Sequence, residues 1–173
     1  MSSDLAKTAL DFAKLIQAEA DEVWKPPAAG SSSRGEMVVY NSLVAGSRGY
    51  IVQIVHQING CYENGWYDAC AVMIRRLIET LIIEAFEHHD RDSQIKDGSG
   101  EFLYLRDLIV ETIACDAWNL GRSAKRSLPR LKDVGDKSAH SRRYVAHRQD
   151  IDKLLPDLRD VVQELMWIAE LKK

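Results

Sequence analysis

The fold is decided by the stretch NGWYDACAVMIRRLIETLIIEA, residues 64–85. Its first two residues, Asn64-Gly65, are a typical turn pair, because glycine adopts backbone angles that other residues avoid. After this turn, apolar residues recur every three or four positions, as on one face of an α-helix: Cys70, Met73, Ile74, Leu77, Ile78, Leu81, Ile82 and Ala85. The segment before the turn has the same period at Tyr50, Ile51, Ile54, Val55 and Ile58. The sequence therefore predicts two long amphipathic helices that pack antiparallel across a short turn.

Further apolar stripes predict helices in the second half of the chain. One covers Leu105 to Ile113, and another runs from about Asp150 to Leu171. Pro156 either kinks this closing helix or marks where its regular part begins. The segment between them is predicted to be helical in pieces, because Pro129 interrupts it. No strand pattern is found, and the predicted fold class is an all-α, up-and-down helical bundle of four to five helices with an N-terminal helical arm.

The first 36 residues are predicted to lie outside the bundle. A helix there ends at Pro26 and Pro27, and a Pro/Gly/Ser connector follows it, so that the bundle covers residues 37–173. Within the bundle, residues 37–44 are either extended or a lead-in to the next helix. The N-terminus does not resemble a signal peptide, and no apolar run approaches the roughly 20 residues that span a bilayer. With three cysteines spaced like core residues, the sequence predicts a cytoplasmic protein with reduced thiols and no membrane partner.

Positive charge is concentrated in one segment of an acidic chain. Residues 122–148 contain nine basic and two acidic residues, whereas the whole chain has a net charge of −3. Such segregation indicates an anionic partner or a compensating acidic face. Within this segment, Asp136 and His140 are four residues apart and would share one face of a helix. The carboxylate would then fix the tautomer of the imidazole for proton transfer; alternatively, Asp136 caps a helix start after Gly135 and His140 hydrogen-bonds within the bundle.

Two arginines stand in the middle of the most apolar predicted helix. Arg75 and Arg76 are costly there unless they are paired or directed outward, and Glu79 is within reach of both. Either the arginines pair with Glu79, or one of them points towards His140. The run His88-His89-Asp90 is better explained as a solvated helix end than as a metal cluster, because adjacent residues on a helix point in different directions. The sequence therefore predicts no metal and no cofactor.

The pieces NGWYDACAVMIRRLIE (64–79) and GDKSAH (135–140), followed by a long closing helix, resemble the HEPN-like helical superfamily. More narrowly, they resemble a domain-of-unknown-function branch that occurs alone or attached to restriction and defence proteins. It covers about residues 46–171 and implies a bundle of four or five helices that is usually dimeric. Active members are similar to metal-independent endoribonucleases, whose signature is an arginine, a polar residue, three further residues and a histidine.

The resemblance implies roles for individual residues. Asp136 matches the polar position and His140 the histidine, which helps to activate the ribose 2′-hydroxyl or to protonate the leaving group. Gly135 stands where the arginine that stabilises the transferring phosphate is expected. The sequence therefore predicts a non-catalytic or weakly active HEPN-like module that binds RNA or a protein partner, in a defence or toxin–antitoxin setting. The candidate RNA-binding residues are Lys137, Arg142, Arg143, Arg75 and Arg76.

Two other interpretations stand beside this one. In the first, the chain is a metal-independent endoribonuclease that uses Asp136 and His140 with a substitute arginine. In the second, the chain is a homodimer in which the basic segment faces the acidic part of the partner.

Overall fold

The computed structural model describes residues 37–171 together with Phe12 and Lys14. Apart from these two positions, which are helical and exposed, the predicted N-terminal helix and its connector lie outside the described residues. The chain divides into two units, Met1–Ser31 and Ser32–Lys173. The helices below all belong to the second unit.

Seven α-helices form the described part of this unit. They are α1 (Asn41–Val44), α2 (Gly49–Glu63), α3 (Tyr67–His88), α4 (Leu105–Ala114), α5 (Arg122–His140), α6 (Arg148–Asp152) and α7 (Leu155–Ile168). A short 3-10 helix, Asp92–Ile95, lies between α3 and α4. No strand is present in residues 37–171, where the only pairing of extended backbone is one isolated bridge between Lys96 and Phe102. The predicted all-α helical bundle is confirmed, and none of the described helices has the length and apolar character needed to cross a membrane.

The central helix is α3, which packs against α2, α4, α5 and α7. Its predicted apolar face is the core of the unit, since Cys70, Leu77, Ile78, Leu81, Ile82 and Ala85 are fully buried. The predicted turn before it is also confirmed. Gly65 has a φ of +75°, and the Trp66 amide donates to the Cys61 carbonyl at 2.8 Å. This short turn places α2 and α3 side by side.

The basic segment differs from its prediction, because α5 is one continuous helix across Pro129. A proline inside a helix costs about 3 kcal/mol, since it removes a backbone hydrogen bond and crowds the preceding turn. Pro129 lies on the exposed side of α5, while its neighbours Leu128 and Leu131 are fully buried. Full burial of each leucine contributes about 1.5–3 kcal/mol. Tertiary packing therefore keeps the helix intact where the local sequence predicts a break.

The closing segment consists of two helices. The short α6 ends at Asp152, and Pro156 lies in the first turn of α7. Of the two alternatives for Pro156, the start of the regular helix is the one observed. Proline suits this position, because its missing N–H would have no partner in the first turn.

Residues 37–39 form bends that lead into α1 and are held by buried polar contacts. The fully buried Asn59 accepts hydrogen bonds from the amides of Val38 and Val39, at 3.0 and 3.1 Å, and donates to the Val39 carbonyl at 2.9 Å. Arg159 of α7 donates to the Val38 carbonyl at 3.0 Å and lies 4.0 Å above the Tyr40 ring. Both valines are thereby fixed in the core.

Candidate functional site

An open cleft of about 320 Å³ lies where α5 passes α3 and the beginning of α4. It brings together residues that are far apart in the sequence: Arg75, Tyr104, Arg106, Asp107, Lys132, Asp136 and His140. Three of the seven predicted site residues, Arg75, Asp136 and His140, therefore line one cleft.

The cleft exists because α3 and α5 approach each other closely at Gly135. A Cβ atom at this position would lie 2.7 Å from the Cβ of Arg75 and 3.0 Å from the carbonyl oxygen of Ala71. Neither neighbour is the flexible end of a side chain, so the contact tolerates only glycine without a shift of a helix. An arginine at position 135 is therefore excluded by packing. Gly135 is also inside α5, so the alternative that Asp136 caps a helix start is wrong.

Arg75 of α3 occupies the space beside Gly135 and binds the next residue of α5. Its Nε donates to Asp136 Oδ1 at 2.8 Å, and its Nη1 donates to Glu79 Oε2 at 3.2 Å. Arg75 thus pairs with Glu79, as the first alternative predicts. It also lines the same cleft as His140, as the second alternative predicts. Arg76 is exposed and is not among the cleft residues.

Asp136 is held from two sides. Lys132, one turn earlier in α5, donates to Asp136 Oδ2 at 2.6 Å while Arg75 binds Oδ1. Burial raises the pKa of the Asp136 carboxyl, but the hydrogen bonds and charges of Lys132 and Arg75 outweigh this and leave the pKa below its usual value. The hydrogen bond to Asp136 likewise raises the pKa of the Lys132 ammonium group. Both groups remain ionised at neutral pH.

His140, at the C-terminal end of α5, is exposed at the rim of the cleft. The structure does not show the predicted contact with Asp136, because both oxygens of that carboxylate are bound to Arg75 and Lys132. Among the described residues, the imidazole has no hydrogen-bond partner, so the alternative of a histidine bonded within the bundle is also wrong. Its ring nitrogens are therefore available to a ligand.

The remaining candidates lie beyond the cleft. Lys137, Arg142 and Arg143 are exposed at and just after the end of α5, and none has an ion-pair partner within residues 37–171.

The predicted helix end at His88 and His89 lies at the C-terminus of α3. His89 Nε2 lies 3.0 Å from the Ile168 carbonyl oxygen and His88 lies 3.5 Å from Glu170. No group of three or more His, Cys, Asp or Glu residues in the described part of the chain is placed to hold a metal ion.

Sequence reasoning missed Tyr104 and Arg106, which form the α4 side of the cleft. A single tyrosine before a short helix belongs to no periodic pattern, so the sequence does not mark it as a site residue. Only the packing of α4 against α3 and α5 brings these two residues to His140.

Comparison of the chain with protein-family models, with curated proteins and with solved structures gives no match.

We expect Gly135→Ala to destabilise the protein by about 1–2 kcal/mol, because overpacking between α3 and α5 outweighs the gain in helix propensity. Urea unfolding followed by circular dichroism measures the change. Gly49→Ala is the matched control, because a Cβ at Gly49 meets nothing within 4 Å. A Gly135→Ala protein as stable as wild type would contradict the close helix contact.

We expect Asp136→Asn to be less stable than wild type at pH 7, with a difference that shrinks as the pH falls. The unfolded-state pKa of an aspartate is about 3.9, and the folded-state pKa of Asp136 lies below its usual value. The ionised carboxylate therefore stabilises the fold above that pH, and this contribution is lost as the pH drops through the lowered pKa. Unfolding at a series of pH values tests this, with the exposed Asp133→Asn as a control that should change little. A pH-independent difference would refute the charged pairing.

Proposed function

We propose that this chain is an RNA-binding HEPN-like module, non-catalytic or weakly active, that works as a homodimer in a defence or toxin–antitoxin setting. One observation carries the proposal: three cationic side chains, from α3, α4 and α5, line a single cleft with two carboxylates and with His140, which has no hydrogen-bond partner within residues 37–171. The family and the biological setting rest on the sequence resemblance.

The positive charge around the cleft favours a phosphate-containing ligand. Arg106 is 77% exposed, and its only ion-pair partner in the described residues is the adjacent Asp107, at 3.0 Å. Exposed pairs of this kind contribute little and exchange readily with a stronger anion. The guanidinium group also matches the geometry of phosphate oxygens. Lys137, Arg142 and Arg143 extend the cationic surface past the end of α5.

The same contacts argue against efficient catalysis. Arg75 is bound to two carboxylates, those of Asp136 and Glu79, so its charge is largely compensated before any phosphate arrives. Within residues 37–171, His140 has no acidic partner to fix its tautomer, which a general acid or base of high efficiency requires. The exposed cationic side chains are therefore well placed to bind RNA, whereas Arg75 and His140 are poorly arranged to cut it.

We expect the purified protein to bind short RNA in EDTA, with an affinity that falls steeply as salt is raised. Each phosphate contact to a single strand contributes a slope of about −0.7 in a plot of log affinity against log salt concentration, through counterion release. The triple variant Lys137→Ala/Arg142→Ala/Arg143→Ala should flatten this slope.

Arg91→Ala is the matched control for this experiment. Arg91 follows the far end of α3, where His88 lies about 20 Å along the helix axis from Arg75, and Arg91→Ala should leave the slope unchanged. Absence of RNA binding at low salt would refute the proposal and indicate a protein partner for the basic surface. Binding that does not depend on salt would contradict the electrostatic contacts.

The second candidate function, metal-independent RNA cleavage, is favoured by the position of Arg75. This arginine lines the same cleft as His140 and stands beside the residue that replaces the signature arginine. If phosphate displaces its carboxylate partners, Arg75 would stabilise the transferring phosphate.

We expect no more than slow RNA cleavage in EDTA, followed on denaturing gels with labelled RNA. His140→Ala should abolish whatever cleavage is found, because the resemblance gives His140 the role of the histidine that transfers the proton. His147→Ala is the control, since His147 is 78% exposed in the same basic segment. Fast cleavage that requires His140 would reverse the ranking of the two candidates; cleavage unchanged in His140→Ala would end the catalytic assignment.

A further inference from the structure

Tyr104 is the most exposed large apolar side chain in the described residues, with 84% of its surface accessible. Within residues 37–171, its hydroxyl has no hydrogen-bond partner and its ring has no aromatic or cationic partner. A tyrosine ring of this size in water gains nothing from the folded state of the unit. Its position in the wall of the cleft leaves the ring open to a ligand that enters there.

The backbone that carries Tyr104 is rigidly held. Before it, a tight hairpin is closed by hydrogen bonds between Asp97 and Glu101 and from the Leu103 amide to the Ile95 carbonyl, at 2.8 and 2.9 Å. The Asp97 side chain fastens the tip by accepting from the amides of Ser99 and Glu101, at 2.8 and 3.1 Å. After it, α4 begins at the fully buried Leu105. The exposed ring thus projects from a fixed point, which lowers the entropy that is lost when a ligand packs against it.

We propose that Tyr104 stacks on an unpaired base, and that the cleft takes single-stranded RNA in preference to duplex RNA. The proposal rests on the proposed function, since it specifies which form of RNA binds there. A flat ring that is open to solvent offers a face on which any base can stack. In a duplex the base faces are already stacked on one another and are not available.

The size and the polar groups of the cleft fit this assignment. At about 320 Å³ it lies near the lower end of the range for small-ligand sites, about 300–1,000 Å³, so it suits one nucleotide unit and not a double helix. Arg106 lies two residues after Tyr104 and His140 faces the same space. A base on the tyrosine leaves its ribose and phosphate beside these two groups, which can bind the 2′-hydroxyl and the phosphate oxygens.

The test compares a short, unstructured, fluorescently labelled oligoribonucleotide with the duplex that it forms with its complement. Loss of one stacked base weakens binding by about 5- to 150-fold. We expect Tyr104→Ala to weaken binding of the single strand by a factor in this range and to leave the weaker duplex binding unchanged. Tyr104→Phe, which keeps the ring and removes the hydroxyl, should bind the single strand like wild type.

Trp167→Ala is the matched control, because Trp167 is 81% exposed but lines a different cavity with Leu43 and Met166. It should bind both RNAs like wild type. As a second readout, a strand that contains 2-aminopurine should lose fluorescence when it binds wild type or Tyr104→Phe, and should lose less with Tyr104→Ala, because stacking quenches this base.

The outcomes separate this inference from the function on which it depends. If neither RNA binds at low salt, both fail. If RNA binds and Tyr104→Ala equals wild type, or if duplex and single strand bind equally well, the stacking role is overturned while RNA binding stands. A Tyr104→Ala protein that changes its oligomeric state by light scattering but binds the single strand normally also overturns it, since the ring would then belong to a contact between copies.

Discussion

The close contact between α3 and α5 at Gly135 is the constraint on which the candidate site depends. With no side chain at this position, the α5 backbone comes within van der Waals distance of Arg75 and Ala71. This approach places the Arg75 guanidinium against Asp136 and leaves His140 one turn further on, at the rim of the cleft. A larger residue at position 135 would separate the helices and disperse these groups.

The contact at Gly135 also determines which charged groups meet at the site. The residue that a ribonuclease signature would require at position 135 has no room there, and an arginine reaches the site from α3 instead. That arginine is held by Asp136 and Glu79, which fixes its position and compensates its charge. Asp136 is in turn occupied by Arg75 and Lys132 and does not contact His140. The packing at Gly135 thus determines which groups Arg75 and Asp136 contact.

The parts of this structure that the sequence predicts correctly are those marked by short turns and by a regular spacing of apolar residues. The stripe from Cys70 to Ala85 and the Asn64-Gly65 turn specify α2 and α3, because each apolar position repeats within a few residues. The predicted break at Pro129 is wrong because the energetic cost of a proline is local to its own turn. The burial of Leu128 and Leu131, which outweighs this cost, depends on packing against other helices. Tyr104 was missed for the same reason, since only the packing of α4 carries it to the cleft. The proximity of Arg75 to His140 was one of two open alternatives, which sequence spacing had no means to decide between.

The net charge of the basic segment overstates its capacity to bind an anion. Lys132 and Arg148 pair with Asp136 and Asp152 one turn away in their own helices, and Arg130 of α5 pairs with Asp157 of α7. Part of the positive charge of the segment is therefore already compensated. The cations without such partners in the described residues include Lys137, Arg142 and Arg143, which gather at the C-terminal end of α5. The helix dipole is negative at this end and stabilises those side chains, but it repels a phosphate that approaches the backbone. An anion at this surface must therefore be bound by side chains, and α4 contributes one of them to the cleft, the exposed guanidinium group of Arg106.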